Sequence, residues 1–293
     1  MHHPIPKVSV IIPTYKSWDK LKDCIEATTK QTYPNDLVEI IVINNLPNDD
    51  PPFDLRPAKL FSEIKKGSYA ARNKGIAEAS GEILAFTDSD CIPDPNWLSE
   101  AVKIIIEKNA DRVAGQIEIT FSKKKLSAVE AYQKALSFNQ KRLSKHGLSV
   151  TANLVCTKRA IDKVGLFNSN LFSGGDWEWN RRANAVGLNL FYAAESIVRH
   201  PARPTWADLI KKSRRVNSNI QNTEFSVNTL AKVLVHFFSG FIPPIKRGIE
   251  IFLNKNLSQK EKIQAWMVCY SLKIYSHTVR LLSHLRLIEP TRE

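Results

Sequence analysis

Hydrophobic residues in the first two hundred positions fall in short runs separated by segments with helical spacing. Val8-Ser9-Val10-Ile11-Ile12 is a β-branched run closed by Pro13, which predicts a buried strand. Residues 18–31 follow with Leu21, Cys24, Ile25 and Thr28 on one helical face. Residues 38–43 predict a second strand, ended by Asn44-Asn45 and a loop rich in Pro and Asp. A helix is predicted over 69–79, closed at Ser80-Gly81. A strand over 82–87, a helix over 97–109 and a strand over 113–121 come next. Strands alternating with helices imply parallel βαβ units and a sheet covered on both faces.

The regularity then changes. Lys123-Lys124-Lys125 and a predicted helix over 128–143 read as an excursion from the sheet, to which 151–156 returns as a strand. Short strands over 189–192 and 197–200 are expected to flank the site. From about residue 205 the pattern is helical, with Ile263, Met267, Tyr270, Ile274, Leu281 and Leu285 along one predicted apolar face. The expected organisation is an α/β domain over 1–204 and a helical C-terminal region over 205–293, membrane-interfacial or packed as a cap or dimer contact. No internal repeat or low-complexity segment interrupts it.

Charge adds a partner to this picture. Lys and Arg total 42 against 29 Asp and Glu, a formal +13, which suits nucleotide phosphates or anionic lipid. No zinc-ligand spacing or RNP-type aromatic strand supports nucleic acid, which is not expected as a partner. The four cysteines are widely spaced with no CxxC pair and read as reduced, buried thiols. The opening Met1-His2-His3-Pro4-Ile5-Pro6-Lys7 has no signal-peptide core, and the apolar stretch over 233–245 is too short to span a bilayer. A cytoplasmic protein is expected, with peripheral contact to anionic membrane at the inner face of the plasma membrane as a further expectation.

Candidate chemistry collects where predicted strands end. In an open α/β sheet, ligands bind beyond the carboxyl ends of the strands. Asp88-Ser89-Asp90 closes one such run, and two crowded carboxylates call for a cation or a shared proton. Pro13-Thr14-Tyr15 ends the first strand, with a ring to stack on a nucleobase. Asn44 ends the second, with an amide to pair a base edge, although both are also ordinary loop residues. Gly67 to Gly75 places Arg72 near a helix start suited to an anion. Ser173-Gly174-Gly175-Asp176-Trp177-Glu178-Trp179 combines close backbone approach, acids and two indoles; Asp176 is either a helix cap or a base. His200 ends a predicted strand and suits a Mn²⁺ site beside carboxylates. Arg199, Arg203, Lys211, Lys212, Arg214 and Arg215 are opposed only by Asp208 across that stretch, which fits a diphosphate, a lipid headgroup or a solvated helix face.

Together these segments resemble the family-2 glycosyltransferases of the GT-A fold, of the kind that builds bacterial polysaccharides. The resemblance runs through Val8 to Tyr15, Ala71-Arg72-Asn73-Lys74-Gly75, Phe86-Thr87-Asp88-Ser89-Asp90 and Gly174-Gly175-Asp176-Trp177-Glu178-Trp179, within residues 7–204. It implies a Rossmann-like α/β fold: a mixed, mostly parallel sheet with helices on both faces, plus the C-terminal helical appendage. It implies an inverting transfer of a sugar from a nucleotide diphosphate sugar, a UDP-sugar favoured, to a glycan or lipid-linked acceptor. Pro13, Tyr15, Asn44, Arg72, Asp88 and Asp90 would hold the nucleotide. Asp90 would bind Mg²⁺ or Mn²⁺ with His200 as a further ligand, and Asp176 would be the base. Gly174, Gly175, Trp177 and Glu178 would form the acceptor side, with Glu178 in reserve as base. Two positions depart from the family pattern: Asn44 stands where Asp is usual, and Gly175 replaces the acid that usually precedes Asp176. A sugar nucleotidyltransferase would show a Gly-rich loop after its first strand, and a dinucleotide oxidoreductase a GxGxxG; neither is present. A non-catalytic sugar-nucleotide-binding subunit of a polysaccharide assembly would be favoured had Asp88, Asp90 or Asp176 been absent.

Overall fold

The computed structural model describes residues 5–218 and 227–289; the start of the chain at 1–4 and the part of the predicted helical region at 219–226 lie outside it. The elements run β1 (Val8–Thr14), α1 (Trp18–Thr29), β2 (Val38–Asn44), β3 (Lys59–Ser62), α2 (Ser68–Glu78), β4 (Ile83–Phe86), β5 (Ile92–Pro93), α3 (Trp97–Glu107) and β6 (Arg112–Thr120). They continue with α4 (Ala128–Leu136), α5 (Gln140–Ser144), β7 (Leu154–Thr157), α6 (Lys158–Val164), α7 (Gly175–Ala185), β8 (Leu190–Pro201), α8 (Trp206–Ser218), α9 (Val227–Ser239), α10 (Ile245–Leu253) and α11 (Gln259–His284).

The described strands form one mixed sheet in the order β3-β2-β1-β4-β7-β6-β8-β5. β3, β2, β1 and β4 are parallel, with Thr14 opposite Asn44 and Ile11 opposite Phe86. Beyond β4, the pairs β4 with β7, β7 with β6 and β8 with β5 are antiparallel. β1 is buried along its whole length, as a central strand covered on both faces must be. Its alternate residues feed two cores. Val8, Val10 and Ile12 pack with Leu21, Trp97 and Leu98 of α1 and α3, whereas Ile11 packs with Ile41, Ile43, Ala71 and Trp179 on the other face. Each such aliphatic side chain contributes roughly 1.5–3 kcal/mol relative to exposure.

Two expectations change here. The helix predicted over 128–143 is broken, because Ser137 is extended, Phe138 has φ 51° and the Asn139 side chain accepts from Arg142 N to start α5. The two strands predicted over 189–192 and 197–200 are one, β8. The residues between them look weakly strand-forming, yet Ser196 donates its hydroxyl to Trp97 O and accepts the Asn153 amide at its carbonyl.

The chain forms two compact units. One comprises the described residues up to Glu118 together with Phe138–Pro201; the other joins Ile119–Ser137 to the chain from Ala202 onward. In the second unit α11 packs on α4 and α8–α10. It buries Ala265, Val268, Cys269, Leu272 and Val279, while Ile263 and Met267, on the predicted apolar face, are 54% and 59% exposed. Small Ala265 and Cys269 admit Leu126, Ile251 and Leu257 close to the helix, and the longer side chains turn outward. No described helix is long and apolar enough to cross a membrane.

Candidate active site

Parallel pairing brings the carboxyl ends of β1, β2 and β4 to one edge, so Thr14-Tyr15, Asn44-Asn45 and Thr87-Asp88 leave the sheet side by side. The β2 exit is stitched down by its asparagines. Asn44 donates its amide to Leu46 O (2.9 Å) and Asp49 O (2.8 Å) and accepts from Leu46 N (2.9 Å). Both amide hydrogens are engaged, so the expected pairing of a base edge through that amide is not available; Oδ1 alone retains a lone pair. Asn45 accepts from Gly67 N (2.8 Å), tying the β2 end to the start of α2. Tyr15 is half-buried with Lys16 over its ring at 5.2 Å.

α2 brings up Arg72, a guanidinium only 3% exposed, which donates from Nη2 to Asp88 Oδ1. Its Nε is buried with no protein partner, as is Thr14 Oγ1 at the end of β1. A buried unpaired donor is costly unless a ligand oxygen completes it. In the sequence Thr14 is only part of the end of the first strand; its orphan hydroxyl becomes visible once β1 and its neighbours are placed.

Asp88, Asp90, Cys91 and His200 have ligand atoms that all lie within 4.8 Å of one another. His200 Nε2 is 3.8 Å from Asp90 Oδ1, and its Nδ1 donates to Pro201 O at 2.8 Å in the tautomer that leaves Nε2 as an acceptor. That bond on the far ring nitrogen is the arrangement that orients metal-ligating histidines. Phe138 packs on the imidazole at 4.7 Å. Burial first, then the neighbouring Asp88 and Asp90 charges, push the Cys91 thiol well up. Two carboxylates with an imidazole are a donor set that fits Mn²⁺ or Mg²⁺, whereas a thiol suits softer metals.

α7 supplies the other half. Gly174 caps it with φ 78°, a left-handed conformation that favours glycine. Asp176 lies in the first turn, beyond the cap position. Its Oδ1 accepts from Trp177 N (2.9 Å) and from the Tyr69 hydroxyl (3.2 Å). Desolvation raises its pKa; Arg72, the Trp177 and Tyr69 hydrogen bonds and the Thr151 N–H oppose that rise. Glu178 is engaged differently, in a two-point pair with Arg182 (2.6 and 3.0 Å), so this reserve candidate is neutralised on its own helix. Trp177 is 40% exposed, whereas Trp179 is fully buried and donates to Gly165 O.

A residue the sequence did not flag holds α7 in place. Arg112, fully buried on β6, donates to Asn180 Oδ1 (2.7 Å), Asn184 Oδ1 (2.7 Å) and Leu188 O (2.8 Å). Asn180 in turn donates to Asp176 O (2.8 Å), which fixes the turn carrying the carboxylate. Burial lowers the Arg112 pKa to about 10, still fully charged at neutral pH.

The sequence model of glycosyl transferase family 2 matches residues 9–163. Over 225 residues the chain is 37% identical to glycosyltransferase AglE of Haloferax volcanii, covering 74% of this chain and 73% of that protein. The chain belongs to glycosyltransferase family 2. This family-2 glycosyltransferase is also 33% identical to the UDP-Glc:alpha-D-GlcNAc-diphosphoundecaprenol beta-1,3-glucosyltransferase WfgD of Escherichia coli, over 118 residues that cover 38% of this chain and 46% of that one. Its fold is shared with a mannosyltransferase from Pyrobaculum calidifontis solved with GDP-Man and Mn²⁺. The TM-score is 0.58 at 17% identity, covering 92% of this chain and 87% of that chain. The enzyme is thus a glycosyltransferase, with a nucleotide-sugar donor and an acceptor as its substrates.

Proposed function

We propose that this glycosyltransferase transfers a sugar with inversion from a nucleotide diphosphate sugar, a UDP-sugar in first place, to a hydroxyl of a lipid-linked glycan. The observation that carries the reading is the division of one edge into two halves. Asp88, Asp90 and His200 gather near Arg72, and Asp176 is held separately at the head of α7. Asp90 and His200 would hold the cation, with Asp88 facing the nucleotide. Pro13 and Tyr15 bound the base side, and Asn44 acts through its remaining Oδ1 lone pair and by holding the 44–49 loop. A divalent cation supplies Lewis-acid stabilisation of the departing diphosphate.

The chain's own residues do the rest. Arg72 would take a diphosphate oxygen, a reading supported by its buried Nε, which has no partner in the protein. Asp176 removes the acceptor hydroxyl proton as that oxygen bonds to the anomeric carbon, and the bond from that carbon to the diphosphate oxygen breaks. One displacement inverts the centre. Gly174, Gly175 and Trp177 form the acceptor side; an exposed indole face suits a sugar ring. A diphosphoundecaprenol-linked acceptor appears in the name of the WfgD relative, and the exposed apolar surface of the C-terminal unit supports a role in polysaccharide or glycolipid synthesis at the inner face of the plasma membrane.

The test begins with nucleotide sugars screened with Mn²⁺ for thermal stabilisation, because a ligand specific to the native state raises stability. With the donor so found, Asp176→Asn should lower transfer by about 10²–10⁴-fold while UDP–Mn²⁺ binding by calorimetry stays at the wild-type value. Wild-type turnover in that variant would remove Asp176 as the base.

A further inference from the structure

We propose that Tyr69 is the positioning residue for Asp176, and that it fills the space of the acid missing at position 175 while joining the base to the donor side through Arg72. The inference rests on Asp176 being the base.

The geometry begins with Gly175. A Cβ built there would lie 2.7, 2.8 and 2.9 Å from Cε2, Cδ2 and Cζ of Tyr69. The phenol ring therefore occupies the space that any side chain at 175 would need. The family's usual acid at this position and this tyrosine are mutually exclusive in this backbone. From α2 the same tyrosine donates its hydroxyl to Asp176 Oδ1 at 3.2 Å.

A core role alone does not explain the residue. The ring packs on Phe167 (5.9 Å), which continues to Phe86 and Trp179, and a phenylalanine would serve that aromatic cluster equally. A buried phenol needs a partner for its hydroxyl, and the partner here is the carboxylate of Asp176. Burial raises the Tyr69 pKa, so the hydroxyl remains a donor throughout the physiological range. On the other side the Arg72 guanidinium carbon is 5.6 Å from the ring centroid, a cation–π distance, and Arg72 grips Asp88. Asp88, Arg72, Tyr69 and Asp176 thus form one contact chain across the donor and acceptor halves. A diphosphate that draws Arg72 acts on the residue that holds the base.

The groups facing the Asp176 carboxylate are Tyr69 and Arg72 from α2, the Trp177 N–H from α7 and the Thr151 N–H ahead of β7. All four favour the ionised form against burial. Removing the Tyr69 hydroxyl should therefore raise the Asp176 pKa, and a base with a higher pKa becomes competent at higher pH.

The experiment is Tyr69→Phe, which keeps the ring and removes the hydroxyl. The Asp176 carboxyl carbon is followed by NMR titration in wild type and variant, its signal identified by its loss in Asp176→Asn. The expected result is a higher Asp176 pKa in Tyr69→Phe, with transfer down about tenfold at neutral pH, as for one lost hydrogen bond to a charged group. UDP–Mn²⁺ binding by calorimetry should match wild type, which also certifies the fold. An unmoved Asp176 titration overturns the inference, even if transfer falls, since a merely structural tyrosine would leave that titration in place. Gly175→Ala is the second probe. Its methyl must displace the ring, so it should reproduce the titration shift, and adding Tyr69→Phe to it should shift the titration no further. Fully additive shifts would contradict a shared mechanism. The two readings separate cleanly: active Asp176→Asn enzyme defeats the base, whereas inactive Asp176→Asn with an unmoved titration in Tyr69→Phe defeats Tyr69 alone.

Discussion

His200 is fixed in orientation by what lies behind it. Its Nδ1 is committed to Pro201 O, its ring is held by Phe138, and Nε2 faces Asp90. Imidazole is a better ligand for Mn²⁺ than for the harder Mg²⁺, whereas a carboxylate serves both. His200→Ala should therefore weaken UDP binding more in Mn²⁺ than in Mg²⁺, by about tenfold or more in the Mn²⁺ series, while Asp90→Ala should weaken both. Calorimetry in the two metals decides it; an unchanged Mn²⁺/Mg²⁺ ratio in His200→Ala would take the imidazole out of the site. That Asp88, Asp90 and His200 lie together and that Asp176 falls at the start of a helix was legible in the sequence, because these residue types follow strand or helix boundaries. Tyr69 and Arg112 were not. An aromatic near a helix start reads as core, and an arginine opening a strand reads as surface. The one available signal was the glycine at 175, whose cause lies a hundred residues upstream in Tyr69.

The amino ends of the parallel strands are tied by one carboxylate. Glu39, opposite Ser9 in the β1–β2 register, accepts from Ser9 Oγ (2.6 Å), Ser80 N (2.7 Å), Ser80 Oγ (2.8 Å) and Lys59 Nζ (3.2 Å). It thereby joins β1, β2, β3 and the turn into β4. Burial alone would raise its pKa, but these donors outweigh burial and hold it down at about 2. A depressed carboxylate stabilises the fold above its unfolded pKa, and the stabilisation is lost as pH falls through the folded value. Glu39→Gln should then cost about 3 kcal/mol at neutral pH by urea unfolding, with the gap to wild type closing between about pH 4.5 and 2. A gap of constant size across that range would show that the charge is not what matters. The strands and helices around this tie were legible because buried parallel strands read as continuous apolar runs. β3 was missed, since this edge strand exposes Lys59 and Leu60. So was α6, although Thr157, which accepts from Ala160 N, and Gly165 with φ 84° mark its ends. The direction of β7 was hidden altogether, because chain reversal after β6 depends on where α4 and α5 part company.

The second unit raises a question that spacing could not answer, namely what its apolar surface faces. Ile263 and Met267, on the apolar face that the spacing predicts for α11, are exposed. α10 repeats the pattern: Gly248 and Ile251 are buried, while Ile245, Ile249, Phe252 and Leu253 are exposed. Phe238, Phe241 and Ile242 just before it are exposed as well, and Lys246, Arg247 and Lys255 are exposed among them. A row of large apolar side chains rimmed by cations is what an anionic bilayer surface binds, the apolar part by area and each cation by about 1 kcal/mol near the surface. Residues 216–293 carry ten Lys and Arg against five Asp and Glu, so the field has the right sign. The enzyme should float with phosphatidylcholine vesicles containing phosphatidylglycerol and much less with phosphatidylcholine alone. About 1 M salt, where screening acts within about 3 Å, should weaken binding without abolishing it, because the apolar contribution persists. The double variant Ile249→Glu/Phe252→Glu adds charge and removes apolar area on the exposed side of α10 only, so it should lose vesicle binding at least tenfold while UDP–Mn²⁺ binding is retained. A variant that still floats like wild type would assign this surface to contact with protein, and a concentration-dependent change in its sedimentation relative to wild type would then identify that protein as a second copy of the chain.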